Sequence, residues 1–541
     1  MCPGFLGSSS SASSVGTDSR KFIDLSLLGN QDARMDEQRK DQNPPSQDRF
    51  SSRFALLLAA LGMAIGAGNI WRFPRIMSKF EGGGGTFLIP WAVFLFTWSI
   101  PLLTIESAIG KRTRRGVIHS LGMMLGRRKT WIGAFVALCT TGIMCYYAVI
   151  AGWCGTYVLQ SLQGEVGRMA FPQAKAHFEG LAQGWISVGG LVLAFLVAGH
   201  FVSRGVQRGI ELANRILLPT LFLLLFVLVG VGLTREGAGK GVSWMFQVDP
   251  KALLDYQPWL EGLSQSAWST GAGWGLLLVL SASAKKKGNN FGNALITGIG
   301  NNCASLIAAF ATIPAVFALA PLAAPGHTAV EVLGTNGPGN TGLAMVWLPK
   351  LFAQIGPSGN LISAMFFLAL TFAALTSLIA MVELATRSVM DLGIPRKKAI
   401  LLITGFGILF GLPSAFSLKI FSNQDWVWGL GLILSGFLFA LAVMKVGVRR
   451  FREHWINSEG DGLGHWFDVF PLVLIPLQFF VLISWWFYQS VQGDWAKNPL
   501  NPFETFSIGT CIAQWGFAFL FLYLFNKRLA RDIPSLDTSL K

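Results

Sequence analysis

The sequence predicts an all-α polytopic membrane protein, on three observations. Hydrophobic residues fill 52% of the 541 positions and charged residues only 13%, where soluble domains carry about 25% charged residues. Apolar runs near the roughly 20 residues that cross a bilayer recur along most of the chain. Two of those runs are interrupted by glycine clusters, at matching places in the order.

Residues 1–50 are polar, rich in Ser, Asp, Gln and Arg, and lack the apolar core of a signal peptide. They read as a disordered cytoplasmic tail. Twelve spans are then expected, at 53–76, 86–110, 132–162, 183–203, 209–234, 261–284, 290–320, 359–388, 397–415, 425–447, 466–490 and 506–527. They group into a first repeat of five spans (51–260), a second (261–447), a closing pair (448–527) and a cytoplasmic tail (528–541). Segment 321–358, with its Pro, Gly and amphipathic "TAVEVL", is expected to form a structured external cap.

The net charge of +15 does not point to nucleic acid, because the basic residues cluster in alternate loops. "GKRTRRGVIHSLGMMLGRRK" alone holds seven, and "AKKKG", "IPRKK", "VRRFRE" and "NKRLAR" follow the sixth, eighth, tenth and twelfth spans. Such loops stay inside, so both termini are expected in the cytoplasm. The six cysteines (Cys2, Cys139, Cys145, Cys154, Cys303, Cys511) include no metal-spaced pair. The expected outer loops carry neither cysteine nor an Asn-x-Ser/Thr acceptor, which favours a bacterial inner membrane. The six histidines are scattered, so no embedded enzyme and no resident cofactor are expected.

The first span contains "GMAIGAGNIWRFP" (Gly62–Pro74) and the sixth "STGAGWG" (Ser269–Gly275). Glycine disfavours helix by about 1 kcal/mol relative to alanine. A break within lipid is tolerated only where it lines a cavity or is buried in protein. A matching pair of interrupted spans is the signature of an inverted-repeat transporter with a midplane site. A broken helix offers unpaired carbonyls to a small cation and unpaired N–H groups to a carboxylate.

These stretches, with "GGGGTFLIPW", "IPLLTIESAIGK", "SQSAWSTGAGWG" and "FAALTSLIAMVE", resemble the neurotransmitter:sodium symporter family, especially its bacterial amino-acid transporters. The resemblance runs from about residue 46 to 527. It implies the leucine-transporter fold: two inverted five-helix repeats plus two helices. It also implies sodium-coupled import of an amino acid by alternating access. Family members that move amines place an aspartate where Gly66 stands, so Gly66 leaves room for a substrate with its own carboxylate. Amides at Ala67 and Gly68, with the Tyr147 hydroxyl, would hold that carboxylate. Met63, Ala64, Ile143, Trp268, Ser269, Gly271, Trp274, Ser377 and Met381 would line an apolar pocket suited to a hydrophobic side chain. One sodium would take Ala64, Asn69, Ser269, Asn301 and the carboxylate. The other would take Gly62, Ile65, Ala373, Thr376 and Ser377. Oxygen donors of this kind suit a hard cation.

By the same resemblance Arg72 and Asp425, which opens the tenth expected span, would form an outer gate. Asp391 would be the acid of an inner gate. Its usual arginine is Gln47 here, so Arg49 is the expected substitute, and the usual inner-gate tyrosine is Ser283. Chloride-independent relatives carry a glutamate where Ser305 stands. Serine there resembles the chloride-dependent members and implies an anion site of Trp91, Gln265, Ser269, Asn301 and Ser305. Glu106 or Glu383 could supply the negative charge instead. An amino-acid sensor with little transport, or a carrier of an osmolyte or non-standard amino acid, remain alternative readings.

Overall fold

A computed structural model of the chain describes residues 49–80, 82–285, 288–493 and 495–533. The expected tail 1–50, except its last two residues, and most of the tail 528–541 lie outside the described residues, as do two lysines of "AKKKG". Without water, backbone N–H and C=O groups must pair within the segment, which leaves helices as the spanning element here. No strand occurs among the described residues.

The first span consists of α1 (Arg53–Ala64) and α2 (Ala67–Met77), bent by 50° at the break. Then come α3 (Gly85–Thr113), the short α4 (Val117–Leu125), α5 (Arg127–Gln163), α6 (Trp185–Ser203) and α7 (Val206–Leu233). The sixth span is divided into α8 (Gln257–Ser269) and α9 (Leu276–Ala282). It is followed by α10 (Asn290–Ala323), α11 (Gly359–Met390), α12 (Arg396–Phe416), α13 (Leu418–Val446), α14 (His465–Gln492) and α15 (Ile508–Leu524).

Among the described residues nine helices are long and apolar enough to cross a membrane, ten with the bent α1/α2 pair. The two other expected spans fall short of that length for visible reasons. The sixth is cut into pieces of 13 and 7 residues, and the last has 17. One boundary shifts enough to matter. Asp425 does not open its span but lies about two turns inside α13. The segment 321–358 folds into short helices, Ala329–Leu333 and Leu348–Ala353 among them, the first capped by Thr328 and Glu331.

The two breaks use glycine differently. At the first, Ile65 and Gly66 are extended, conformations open to any residue. Gly66 is needed for space, since a Cβ there would stand 2.8 Å from the Tyr147 hydroxyl. At the second, Gly271, Gly273 and Gly275 all have positive φ, where a side chain is strained.

Glycine also sets helix spacing in the scaffold. A Cβ on Gly152 of α5 would lie 2.5 Å from the Gly190 carbonyl carbon of α6, so the two backbones touch. Gly155, one turn along, faces open space. Gly152→Ala should therefore destabilise the protein by about 1–3 kcal/mol through overpacking, read as a lower melting temperature in detergent. Gly155→Ala should not lower it. Equal melting temperatures would contradict the backbone contact.

Candidate functional site

The two breaks face one cavity of about 560 Å³. Met63, Ala64, Gly68, Ile143, Tyr147, Trp268, Ser269, Gly271, Trp274, Ser377 and Met381 all line it. Ala67 does not; its N–H donates to the Tyr147 hydroxyl at 3.0 Å. The amide expected to receive a carboxylate is thus engaged by the tyrosine. Gly68 remains on the cavity wall, with open space where a Cβ would be. Trp268 and Trp274 meet edge to face at 6.5 Å.

The first candidate sodium site follows from a chain of hydrogen bonds. The Gly66 N–H can only donate, so the Asn69 side-chain atom 3.0 Å away is oxygen. Asn69 Nδ2 is therefore a donor, and it points at Asn301 and at Ser305 Oγ, each at 2.8 Å. The Asn301 atom it meets must then be Oδ1. That oxygen also lies 3.1 Å from the Ala64 carbonyl and 3.0 Å from the Ser269 carbonyl. Three acceptor oxygens converge with no proton to share. Turning the Asn301 amide would satisfy both carbonyls but would set two donors against each other at Asn69. A cation resolves the conflict without any turn. Asn69 Oδ1 accepts from Gly66 and keeps a second lone pair for an ion.

The second candidate site lies between α1 and α11. Ser377 Oγ donates to the Met63 carbonyl at 3.2 Å and, weakly, to that of Gly62 at 3.4 Å. Thr376 donates to the preceding turn, to Ala373 at 3.0 Å and Phe372 at 3.2 Å. Ile65 and Ala373 are buried beside them. Both hydroxyls have their protons committed to carbonyls, so each presents lone pairs.

The proposed anion residues are partly linked. Ser305 accepts from Asn69 and also donates to the Asn301 carbonyl at 3.2 Å, its own preceding turn. Asn301 Nδ2 lies 3.2 Å from Ser269 Oγ. Trp91 Nε1 is buried without an acceptor and Gln265 Oε1 without a donor. The two alternative sources of charge are engaged elsewhere. Glu106, fully buried, accepts from Gly273 N at 2.7 Å and Leu278 N at 3.3 Å, closing the second break. Glu383 is held by Arg396 at 2.6 and 3.0 Å.

Arg72 and Asp425 both line the cavity, but no ion pair within 4.0 Å joins them. Arg72 lies over the Trp268 ring at 5.0 Å and reaches Ser264 at 3.4 Å. Asp425 accepts from Tyr146 at 3.0 Å. The cavity continues between them to Lys79, Glu261, Trp495 and Phe506, so this side is open.

The opposite side, near the basic loops, is closed by bonds the sequence did not suggest. Phe50 N donates to the Ser283 carbonyl at 3.0 Å, and Arg387 to Ser283 Oγ at 3.0 Å. Ser51 binds Glu211 through both its N–H and its hydroxyl. The expected Arg49–Asp391 pair is replaced. Asp391 caps α4, accepting from Gly116 N at 3.0 Å and His119 N at 3.2 Å, with the His119 ring 3.9 Å away. Burial pushes its carboxyl above the usual range, and His119 and the two amides oppose that shift. The Arg49 carbonyl accepts from Gln207 at 2.7 Å. The sequence signal for Glu211 was there to see, an acid inside an apolar run.

Comparison with known proteins places this architecture. Residues 47–175 and 182–526 match the Sodium:neurotransmitter symporter family. An uncharacterised sodium-dependent transporter of Methanocaldococcus jannaschii is 30% identical over 451 residues, 80% of this chain and 88% of that protein. The human sodium- and chloride-dependent neutral and basic amino acid transporter B(0+) is 23% identical over 87% of this chain and 84% of its own. Among solved structures, MhsT in complex with L-phenylalanine matches with a TM-score of 0.69 at 27% identity, covering 81% of this chain and 99% of that one. That likeness, with the all-helical architecture, shows the leucine-transporter fold. With the family matched over most of its length, this multi-pass membrane protein belongs to the sodium:neurotransmitter symporter family of sodium-coupled transporters.

Proposed function

We propose that the protein imports an amino acid with a hydrophobic side chain, driven by sodium in the two oxygen-lined sites. The observation that carries this reading is the convergence of Asn301 Oδ1 with the Ala64 and Ser269 carbonyls beside the first break. The substrate carboxylate would complete that site from Gly68 and Tyr147. Gly66 supports a substrate with its own carboxylate, since a side chain there would meet the Tyr147 hydroxyl. Ile143, Trp268, Trp274 and Met381 supply the apolar wall. Such walls discriminate by about 1–3 kcal/mol per methylene, so neighbouring hydrophobic amino acids should compete. MhsT, solved with L-phenylalanine, supports this class. The basic loops support cytoplasmic termini, and expected outer loops without cysteine or an Asn-x-Ser/Thr acceptor support a bacterial inner membrane.

Purified protein in proteoliposomes should accumulate one or more of the twenty amino acids under an inward sodium gradient and not under a choline gradient. Equal uptake in both would contradict sodium coupling. Asn69→Ala should raise the sodium concentration for half-maximal uptake about tenfold, and an unchanged value would remove Asn69 from the site.

We also propose that chloride supports transport. Glu106 and Glu383 are both engaged away from the ion sites, while Trp91 Nε1 is a buried donor without an acceptor. Replacing chloride with gluconate should depress sodium-driven uptake several-fold, and Ser305→Glu should abolish that difference. Equal uptake of the unaltered protein in both anions would contradict the proposal.

A further inference from the structure

Asn214, on α7, is an unassigned polar residue that is 2% exposed. Its amide orientation is fixed from one side. Nδ2 donates to the Ile210 carbonyl at 2.8 Å, one turn back, and turning the amide would face two acceptors together. Oδ1 therefore points away from α7, where it is buried and meets no donor. It lies against Gly62, in the last turn of α1. A Cβ on Gly62 would collide with Asn214 Oδ1 and would stand 3.4 Å from Thr376 Cβ of α11. The orphaned oxygen and the Thr376 side chain thus flank the same face of Gly62.

A buried carbonyl oxygen without a donor is unfavourable unless something positive meets it. The hydroxyls of the adjoining α11 turn do not donate to it. The Thr376 and Ser377 protons are committed to carbonyls of Phe372, Ala373, Gly62 and Met63. The junction of α1, α7 and α11 is rich in acceptors and poor in protons, which is the chemistry of a hard-cation site. We infer that Asn214 Oδ1 supplies a further oxygen ligand to the sodium held between α1 and α11, closing that site on the α7 side. The inference rests on the sodium-coupled reading above and adds a third helix to the site. Ion release would then require α7 to move relative to α1 and α11.

The test uses the full chain in detergent, with sodium chloride titrated against choline chloride at constant ionic strength and no amino acid present. The readout is the sodium-dependent rise in melting temperature. Asn214→Leu keeps the volume and removes the oxygen. Asn214→Ala removes both, and Asn214→Asp restores an oxygen. Half-saturating sodium should rise about tenfold in the Leu and Ala variants and stay at or below the unaltered value in the Asp variant. A packing role would give a different order, with Leu tolerated. Melting in choline alone reports whether each variant is folded. If the unaltered protein responds to sodium and the folded Leu or Ala variant matches it, the Asn214 assignment is wrong and the sodium-coupled reading stands. If the unaltered protein shows no response to sodium, both fall.

Discussion

The structure depends on what satisfies the backbone where two membrane helices stop and restart. A buried polar group left unpaired costs about 1–3 kcal/mol, and no bulk water reaches these breaks from the lipid. Each freed group must therefore find a side chain, a partner helix, a ligand or water of the cavity. At the first break Asn69 takes the Gly66 amide, Tyr147 takes that of Ala67, and Ser377 takes the carbonyls of Gly62 and Met63. At the second, Glu106 takes the amides of Gly273, inside the break, and Leu278, in the first turn of α9. What is left over is a cluster of acceptors, the carbonyls of Ala64 and Ser269 with the Asn301 oxygen, and beside it Gly68 on the cavity wall. The site is the remainder after protein partners have been assigned, and its chemistry follows from that remainder.

The same partners tie the break to the scaffold. Tyr147 comes from α5, Ser377 from α11, Asn301 from α10 and Glu106 from α3. On the reading proposed above, sodium in the two sites would draw α10 and α11 toward α1 and α2, and its loss would release them. The two ends of the cavity differ accordingly. Arg72 and Asp425 stand apart, while near the basic loops Phe50, Ser283, Arg387, Ser51 and Glu211 form a closed set. The cavity is thus open on one side and closed on the other, the asymmetry that the proposed transport would require.

The fold and the two breaks that line one cavity were legible because glycine clusters inside apolar runs have few physical explanations in lipid. Span edges moved by only a few residues in most cases, since hydropathy marks the lipid-exposed length. Asp425 was misplaced because its α13 starts with "LKIFSNQD", too polar to read as membrane. Ala67 was assigned to the substrate because its position at a helix N-terminus is visible in sequence, whereas the Tyr147 hydroxyl that occupies it is brought from 80 residues away. The closure near the basic loops was the least legible part. It relies on the backbone carbonyl of Ser283 and on α7 side chains, and no local pattern announces a bond between residues 160 apart such as Ser51 and Glu211.

The central claim is that one break holds the ion and the carboxylate as a single unit. If so, each must tighten the other by the same factor, because binding free energies are reciprocal. The direct measurement is calorimetric titration of sodium with and without a saturating amount of the best-transported amino acid, and of that amino acid with and without sodium. The account predicts that both affinities rise, by equal factors of about 5–150. Sodium affinity that is indifferent to the amino acid would contradict it.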